Sequence, residues 1–420
     1  MTKKFISIFL LTLCAVVCYA SDIECVGTAT QVVKGNDSVY VFKDEIHLRS
    51  KIGAINWYNA DGSPYATNTD EIYPDEGCYK AAGSSFCVAL YSDMPDLTFT
   101  VDTRCDNTLL RVSGIPASVY ARTYSLSYNA LAWNTEAWVD SLAEKEGDLK
   151  NLIDLKEPLY GATTITLCYD AAIRTALGLD SACVEVEVPI DSIIAVKHEM
   201  TSLTTTRDAT NEKNRPSSQD IIRATVGEDI SAPLEVAFYS NATPAARFFQ
   251  WDIYHSTEHI VRRFDPDIRY LFSEPGAYRV VCSVSNGTCA SDSTEMMVAI
   301  SESYLAVPNV FTPNGDGQND EFRVAYRSLA EFHIWVYNRW GKLVYESTDP
   351  AKGWDGTIGS RQAAEGAYFY VIRAKGTDAE KDAGYMSKIS YNKKKLNADE
   401  SVIGIYQLSG DINLLRGNKK

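Results

Sequence analysis

After its first seventeen residues the chain contains no apolar run approaching the ~18 residues that a membrane-spanning helix needs, so later transmembrane helices are excluded. Histidine is scarce, with five in 420 residues: His47, His198, His255, His259 and His333. No CxxC pair occurs, which counts against zinc ribbons and thioredoxin-like chemistry. A GxSxG elbow and a Gly-rich phosphate loop are both missing, so the sequence signals of a serine hydrolase or a nucleotide binder are absent. Positive charge is in deficit, 40 Lys+Arg against 55 Asp+Glu for a formal net charge of -15, and nucleic acid needs a basic footprint. Lys393-Lys394-Lys395 and Lys419-Lys420 are short basic runs in an acidic chain and read as solvated surface.

Residues 1–20 have the makeup of a secretory signal peptide. Lys3 and Lys4 precede an apolar run from Phe5 to Val17, and Ala20 supplies a small residue before Ser21. Cys14 and Cys18 follow Leu13 and Val17, where a lipid-attachment site wants a small residue, so lipidation is the lesser reading. Removing this segment leaves eight cysteines: Cys25, Cys78, Cys87, Cys105, Cys168, Cys183, Cys282 and Cys289. An even number in an exported chain points to disulfides rather than metal or redox roles. Spacing favours local staples, Cys78 with Cys87, Cys168 with Cys183 and Cys282 with Cys289, leaving Cys25 for Cys105 by elimination. Tyrosine (25) outnumbers phenylalanine (14), as suits exposed β faces.

About 400 mature residues predict two to four domains. Residues 21–102 alternate in short strands, clearest at Val39–Phe42 and Ile55–Tyr58, with Asn59-Ala60-Asp61-Gly62 and Pro74-Asp75-Glu76-Gly77 as turns, and read as an Ig-like β module. Residues 103–189 hold strands at Leu109–Val112 and Thr164–Tyr169. Between Asn134 and Lys156 the alternation stops. Trp138, Leu142, Leu149, Leu152 and Ile153 recur there at helical spacing, and Asn134 is placed to cap. The expectation is an amphipathic helix packed on a sheet, with a partner-binding helix as the alternative. Residues 190–220, with TSLTTTRDATNEKNRPSSQD, read as a linker or exposed loop.

In residues 221–302, Pro233 with Leu234, Phe238, Trp251 with Asp252, and Gly276 with Tyr278 resemble the PKD-like domain, an Ig-type sandwich common on bacterial surfaces. Where that family has a GDG turn after the tryptophan, this chain has Ile253-Tyr254-His255. The adjoining His255-Ser256-Thr257-Glu258-His259 fits the HxxEH zinc pattern. That pattern needs a helix to converge both imidazoles, and a β context with no visible third ligand opposes it.

The last quarter runs VPNVFTPNGDGQNDEF, FHIWVYNRWGKLVYES, GWDG, EGAYFYVI and GDINLLRG. Pro313, Asn314, Gly315, Asp316, Gly317, Asn319 and Asp320 make a tight loop. Asp316, Asn319 and Asp320 loosely suggest calcium ligands, but the loop lacks the bidentate glutamate, so a turn held by Asx bonds is preferred. Phe332, Ile334 and Val336 alternate with His333, Trp335 and Tyr337, as in a strand covered on both sides. Gly341 then turns the chain into Leu343-Val344-Tyr345. The ordered blocks, including Arg339, Trp340, Gly341, Trp354, Asp355, Gly356 and Arg416, resemble the gliding motility-associated C-terminal domain over residues 303–420. This is the type B sorting domain of the Bacteroidetes type IX secretion system, and the resemblance implies that machinery as partner and the cell surface or medium as destination.

Asp-Ser followed by an apolar residue or Thr, at Ser38, Ser141, Ser181, Ser192 and Ser293, is similar to the Bacteroidetes O-glycosylation acceptor pattern. The fold class expected is mostly β, several antiparallel β-sandwich modules in tandem with one short helical insertion in the second. The function expected is a secreted, non-catalytic surface protein without cofactor or metal, which binds an unidentified surface protein or glycan. A structural or shuttle component of the secretion machinery, and a secreted hydrolase with an unrecognised site, are the alternatives.

Overall fold

The computed structural model describes residues 22–34, 37–217, 229–291, 293–379 and 403–416; the signal-peptide reading of residues 1–20 lies outside them. The described chain is mostly β, a succession of largely antiparallel sheets, two of which include a parallel pair, with one α-helix among the described residues. It divides into two compact units, Met1–Val196 with Thr243–Ala245, and Lys197–Ala242 with Ala246–Lys420.

The first unit begins with a six-stranded sheet, in the order Ala29–Lys34, Asp37–Phe42, Ser84–Leu90, Gly77–Ala81, Ile55–Asn59 and Pro64–Thr69. Facing it are the short strands Ile23–Cys25, Leu48–Ser50 and Glu71–Ile72. Trp57, Phe42, Leu48 and Val88 fill the space between and are buried. Period-two alternation places such residues on one face; the neighbours of Trp57 are exposed, while Val41 and Ala89, beside Phe42 and Val88, are buried on the sheet's other face. Cys78 and Cys87 are register partners on adjacent strands and form a disulfide, as do Cys168 and Cys183. Cys25 and Cys105 are each disulfide-bonded.

The helix expected over Asn134–Lys156 is not there. Trp138–Asp148 is a strand, paired residue for residue with Thr123–Trp133. Asn134 does accept N–H bonds from Glu136 and Ala137, as a helix cap would, but it closes the hairpin turn. Leu142 and Leu152 are exposed, so their helical spacing marks no buried stripe. A ladder of eleven cross-strand pairs satisfies the backbone that the helix would have satisfied internally. The α-helix is Ala171–Ala176 instead, and its Ile173, with Leu177, is buried against Val39, Val41, Ala89 and Tyr120. Thr98–Thr103, which straddles the module boundary expected between residues 102 and 103, pairs with Thr108–Ser113 and so belongs to the second module's sheet.

In the second unit, the sheet Thr201–Thr204, Leu234–Tyr239, Asp267–Phe272 faces the sheet Glu258–Arg263, Phe248–His255, Gly276–Ser285, Thr294–Ile300. Trp251, Phe238 and Phe272 are buried between them. Two expectations are corrected here. Residues 190–220 are not simply a linker, since Thr201–Thr204 is a strand of this module and residues 205–217 fold back on themselves. Cys282 does not pair with Cys289: it is a free, buried thiol, while Cys289 is disulfide-bonded. Alternation explains this, because Tyr278, Val280, Cys282 and Val284 all point into the sandwich. Burial pushes the Cys282 thiol up to about 12.

Candidate recognition face of the C-terminal module

The last module is a five-stranded sheet in the order Val310–Phe311, Ile405–Leu414, Gly366–Gly376, Leu329–Tyr337 and Leu343–Ser347. Phe332, Ile334 and Val336 face a core with Phe311, Phe322, Trp354, Ile372 and Leu414. The opposite face of the same strand is only partly covered: His333, Trp335 and Tyr337 are half-buried. His333 stacks on Trp335 at 3.7 Å between centroids, and both rings donate to Glu346 Oε1, at 2.7 and 2.9 Å. Arg373 lies over Trp335, and Phe369, cross-strand from Tyr337, is 48% exposed. One face of the sheet thus carries aromatic rings in contact with solvent.

Strand direction brings the separated sequence blocks to one end of this sheet. Val310–Phe311 runs parallel to the last strand, ending beside Leu414, and leads into the loop at Thr312. Leu329–Tyr337 ends beside Phe369 and turns at Asn338–Gly341. Gly366 begins its strand opposite Leu414, and Arg416 leaves at the same point. Blocks about a hundred residues apart therefore meet.

Most of the motif residues build this end rather than project from it. Asp320 accepts N–H bonds from Asn314, Gly315 and Gly317 at 2.7–2.9 Å, and the amides of Gly315 and then Gly317 hold its carboxyl below the ordinary value. Asn314 and Asp316 cap the amides of Asp316 and Gln318 in turn, so the loop is a chain of Asx bonds. Asn319 takes a left-handed conformation, φ 52°, and its carbonyl accepts from Thr312. Trp354 is buried and donates its indole N–H to Thr357 O at 2.7 Å, and Asp355 binds the Thr357 amide. Gly356 has φ 74°, and a Cβ there would meet Pro313 Cγ at 3.0 Å and Leu414 Cδ1 at 3.1 Å. Arg416 spans the cluster, donating to Gly356 O, Ala363 O and Pro313 O.

Two motif residues stand out from this scaffold. Trp340 is 79% exposed at the hairpin tip, with the Arg339 guanidinium 4.9 Å from its ring. Asn338 Oδ1 binds the amides of Trp340 and Lys342, and Gly341 has φ 74°, so the tip is preset. An exposed aromatic–cation pair on such a preset turn suits protein recognition, where Trp and Arg dominate contact energy. Sequence reasoning found the tip but missed Phe369, Arg373 and Glu346, which meet it or its strand only through sheet register.

The remaining sequence candidates are scattered. His255 and His259 sit on the two strands of a hairpin, His255 bonded to Pro275 O and stacked on Tyr278, His259 bonded to Asp252. Among the described residues no group of three or more His, Cys, Asp or Glu is placed to hold a metal. Ser141, Ser181, Ser192 and Ser293 are exposed and Ser38 is partly so. No helix among the described residues is long and apolar enough to cross a membrane.

Residues 305–387 match the CHU_C type IX secretion signal domain. No curated protein matches the chain. Among solved structures, a tetra-tandem repeat from the extending region of a large adhesion protein is similar over 88% of this chain and 95% of that one, with 10% identity and a TM-score of 0.18. The chicken interferon gamma receptor alpha chain is similar over 50% of this chain and 99% of that one, with 11% identity and a TM-score of 0.20.

Proposed function

From a chain that carries a type IX secretion signal domain in its last quarter and is thereby marked for export, we propose a non-catalytic, multimodular surface or secreted protein of Bacteroidetes. A signal peptide at residues 1–20 takes it to the periplasm, and the type IX machinery then reads the C-terminal module. The two modules of the first unit present loops for binding, and the third is a spacer, since rigid strands can hold variable end loops. Fold alone names no ligand.

The observation that carries the sorting part of this reading is the exposed Arg339–Trp340 tip on an end built from every other motif block. A receptor can read only what the fold presents, and this pair projects from an end whose other motif side chains are tied into its loops. Trp340→Ala removes the exposed ring without opening the core. Protease shaving of intact cells, with a periplasmic marker as control, should find the variant processed but retained inside. Normal surface yield of a folded Trp340→Ala protein overturns the assignment of the tip.

A further inference from the structure

Residues 205–217 form a closed loop. The Arg207 amide donates to Pro216 O at 2.9 Å, and Arg215 Nη1 donates to Ala209 O at 2.9 Å. Arg207 grips Glu212 with two bonds, Nε to Oε2 at 3.0 Å and Nη2 to Oε1 at 2.6 Å, and also donates to Ser231 O. Glu212 is buried, so the pair is a fixed brace and not a surface contact.

The outer side of this loop is bonded to the last module. Tyr326 N–H donates to Asn211 O at 3.2 Å, and Lys213 N–H donates to Tyr326 O at 2.8 Å. Glu212 is thereby a parallel bridge partner of Tyr326. The strand Ala325–Arg327 pairs on its other edge with Tyr304–Ala306, so the loop takes the place of a third strand. Asn211 Nδ2 reaches Val324 O at 2.8 Å and Pro350 O at 2.7 Å, tying together two segments of that module. Thr210 Oγ1 accepts from Arg323, and Ala209 packs against the core that holds Trp354.

We propose that the sorting signal of this chain is discontinuous: residues 205–217, nearly a hundred residues upstream of the matched domain, are a structural part of the folded module that the secretion machinery reads. This rests on the sorting reading above. Without the loop, Ala325–Arg327 has an open edge, two carbonyls lose the Asn211 amide, and the core loses part of its cover. The third module is then more than a spacer, because it positions that loop.

The test uses the full-length chain with Asn211→Ala and, separately, Asn211→Ala with Glu212→Gln. Hydrogen exchange should quicken about tenfold or more at Tyr326 and its strand neighbours, as expected for losing buried bonds, while the strands holding Cys78 and Cys87 stay as protected as before. Export in the shaving assay should fall in the same variants, alongside Trp340→Ala as reference. Unchanged exchange over Ala325–Arg327 overturns the structural claim. Quickened exchange with full export, where Trp340→Ala is blocked, shows the loop is not part of the signal. If Trp340→Ala is itself exported normally, the assignment of the tip fails, and full export of the loop variants measured against the unsubstituted chain then overturns this extension.

Discussion

Ser231 and Ser328, 97 residues apart and both without solvent exposure, are directly joined: the Ser328 amide donates to Ser231 Oγ at 2.9 Å. Ser328 Oγ in turn accepts from the Ala232 amide at 3.0 Å and donates to Ser301 O at 2.8 Å. A single hydroxyl therefore satisfies a buried donor and a buried acceptor where the third and fourth modules meet. Replacing Ser328 by Ala leaves the Ala232 N–H unpaired away from water. The cost expected is about 1–3 kcal/mol, read as a lower urea midpoint for the second unit. An unshifted midpoint would show that water takes the hydroxyl's place.

The two tryptophans of the sorting motif should respond oppositely to truncation. Trp354 packs against Phe311 and Tyr368 in the core, so Trp354→Ala should destabilise the module by about 3–5 kcal/mol. Trp340→Ala, at the exposed tip, should stay within about 0.5 kcal/mol. Chemical denaturation followed by near-ultraviolet circular dichroism measures both. Equal losses would mean that the tip ring is packed rather than free to bind.

Acid should loosen the Thr312–Asp320 loop. The Asp320 carboxyl is held below its ordinary value by the Gly315 and Gly317 amides, so its contribution is complete above about pH 4 and is lost as pH falls through the lowered folded value. The amide signals of Gly315 and Gly317 should titrate together in NMR, with a midpoint below that of a free aspartate, and Asp320→Ala should abolish the transition. A midpoint at or above the free value contradicts the bonding described.

Cys282 supplies a redox check. Its thiol is buried and pushed up to about 12, so in native mature protein it should resist alkylation at pH 8 and react once the chain is unfolded. Mass mapping that recovers a Cys282–Cys289 peptide would restore the local staple and refute the free thiol.

The sequence alone determined whatever local chemistry governs. Alternation marked Val39–Phe42 and Phe332–Tyr337 as strands, and Pro, Gly and Asx residues marked the loop before Asp320. The ordered blocks of the last quarter identified the secretion signal. Asn134 shows where local reading stops. An asparagine that binds amides two and three residues ahead serves a helix cap and a hairpin turn equally, and the partner strand Thr123–Trp133 decides between them. Cys282 repeats the lesson, since its short spacing from Cys289 competed with the alternation that turned it inward. The polar passage around Asn211 has no apolar period to read. Its place beside Tyr326 rests on backbone pairing and amide-to-carbonyl bonds, interactions that any residue can make and that only proximity in three dimensions selects.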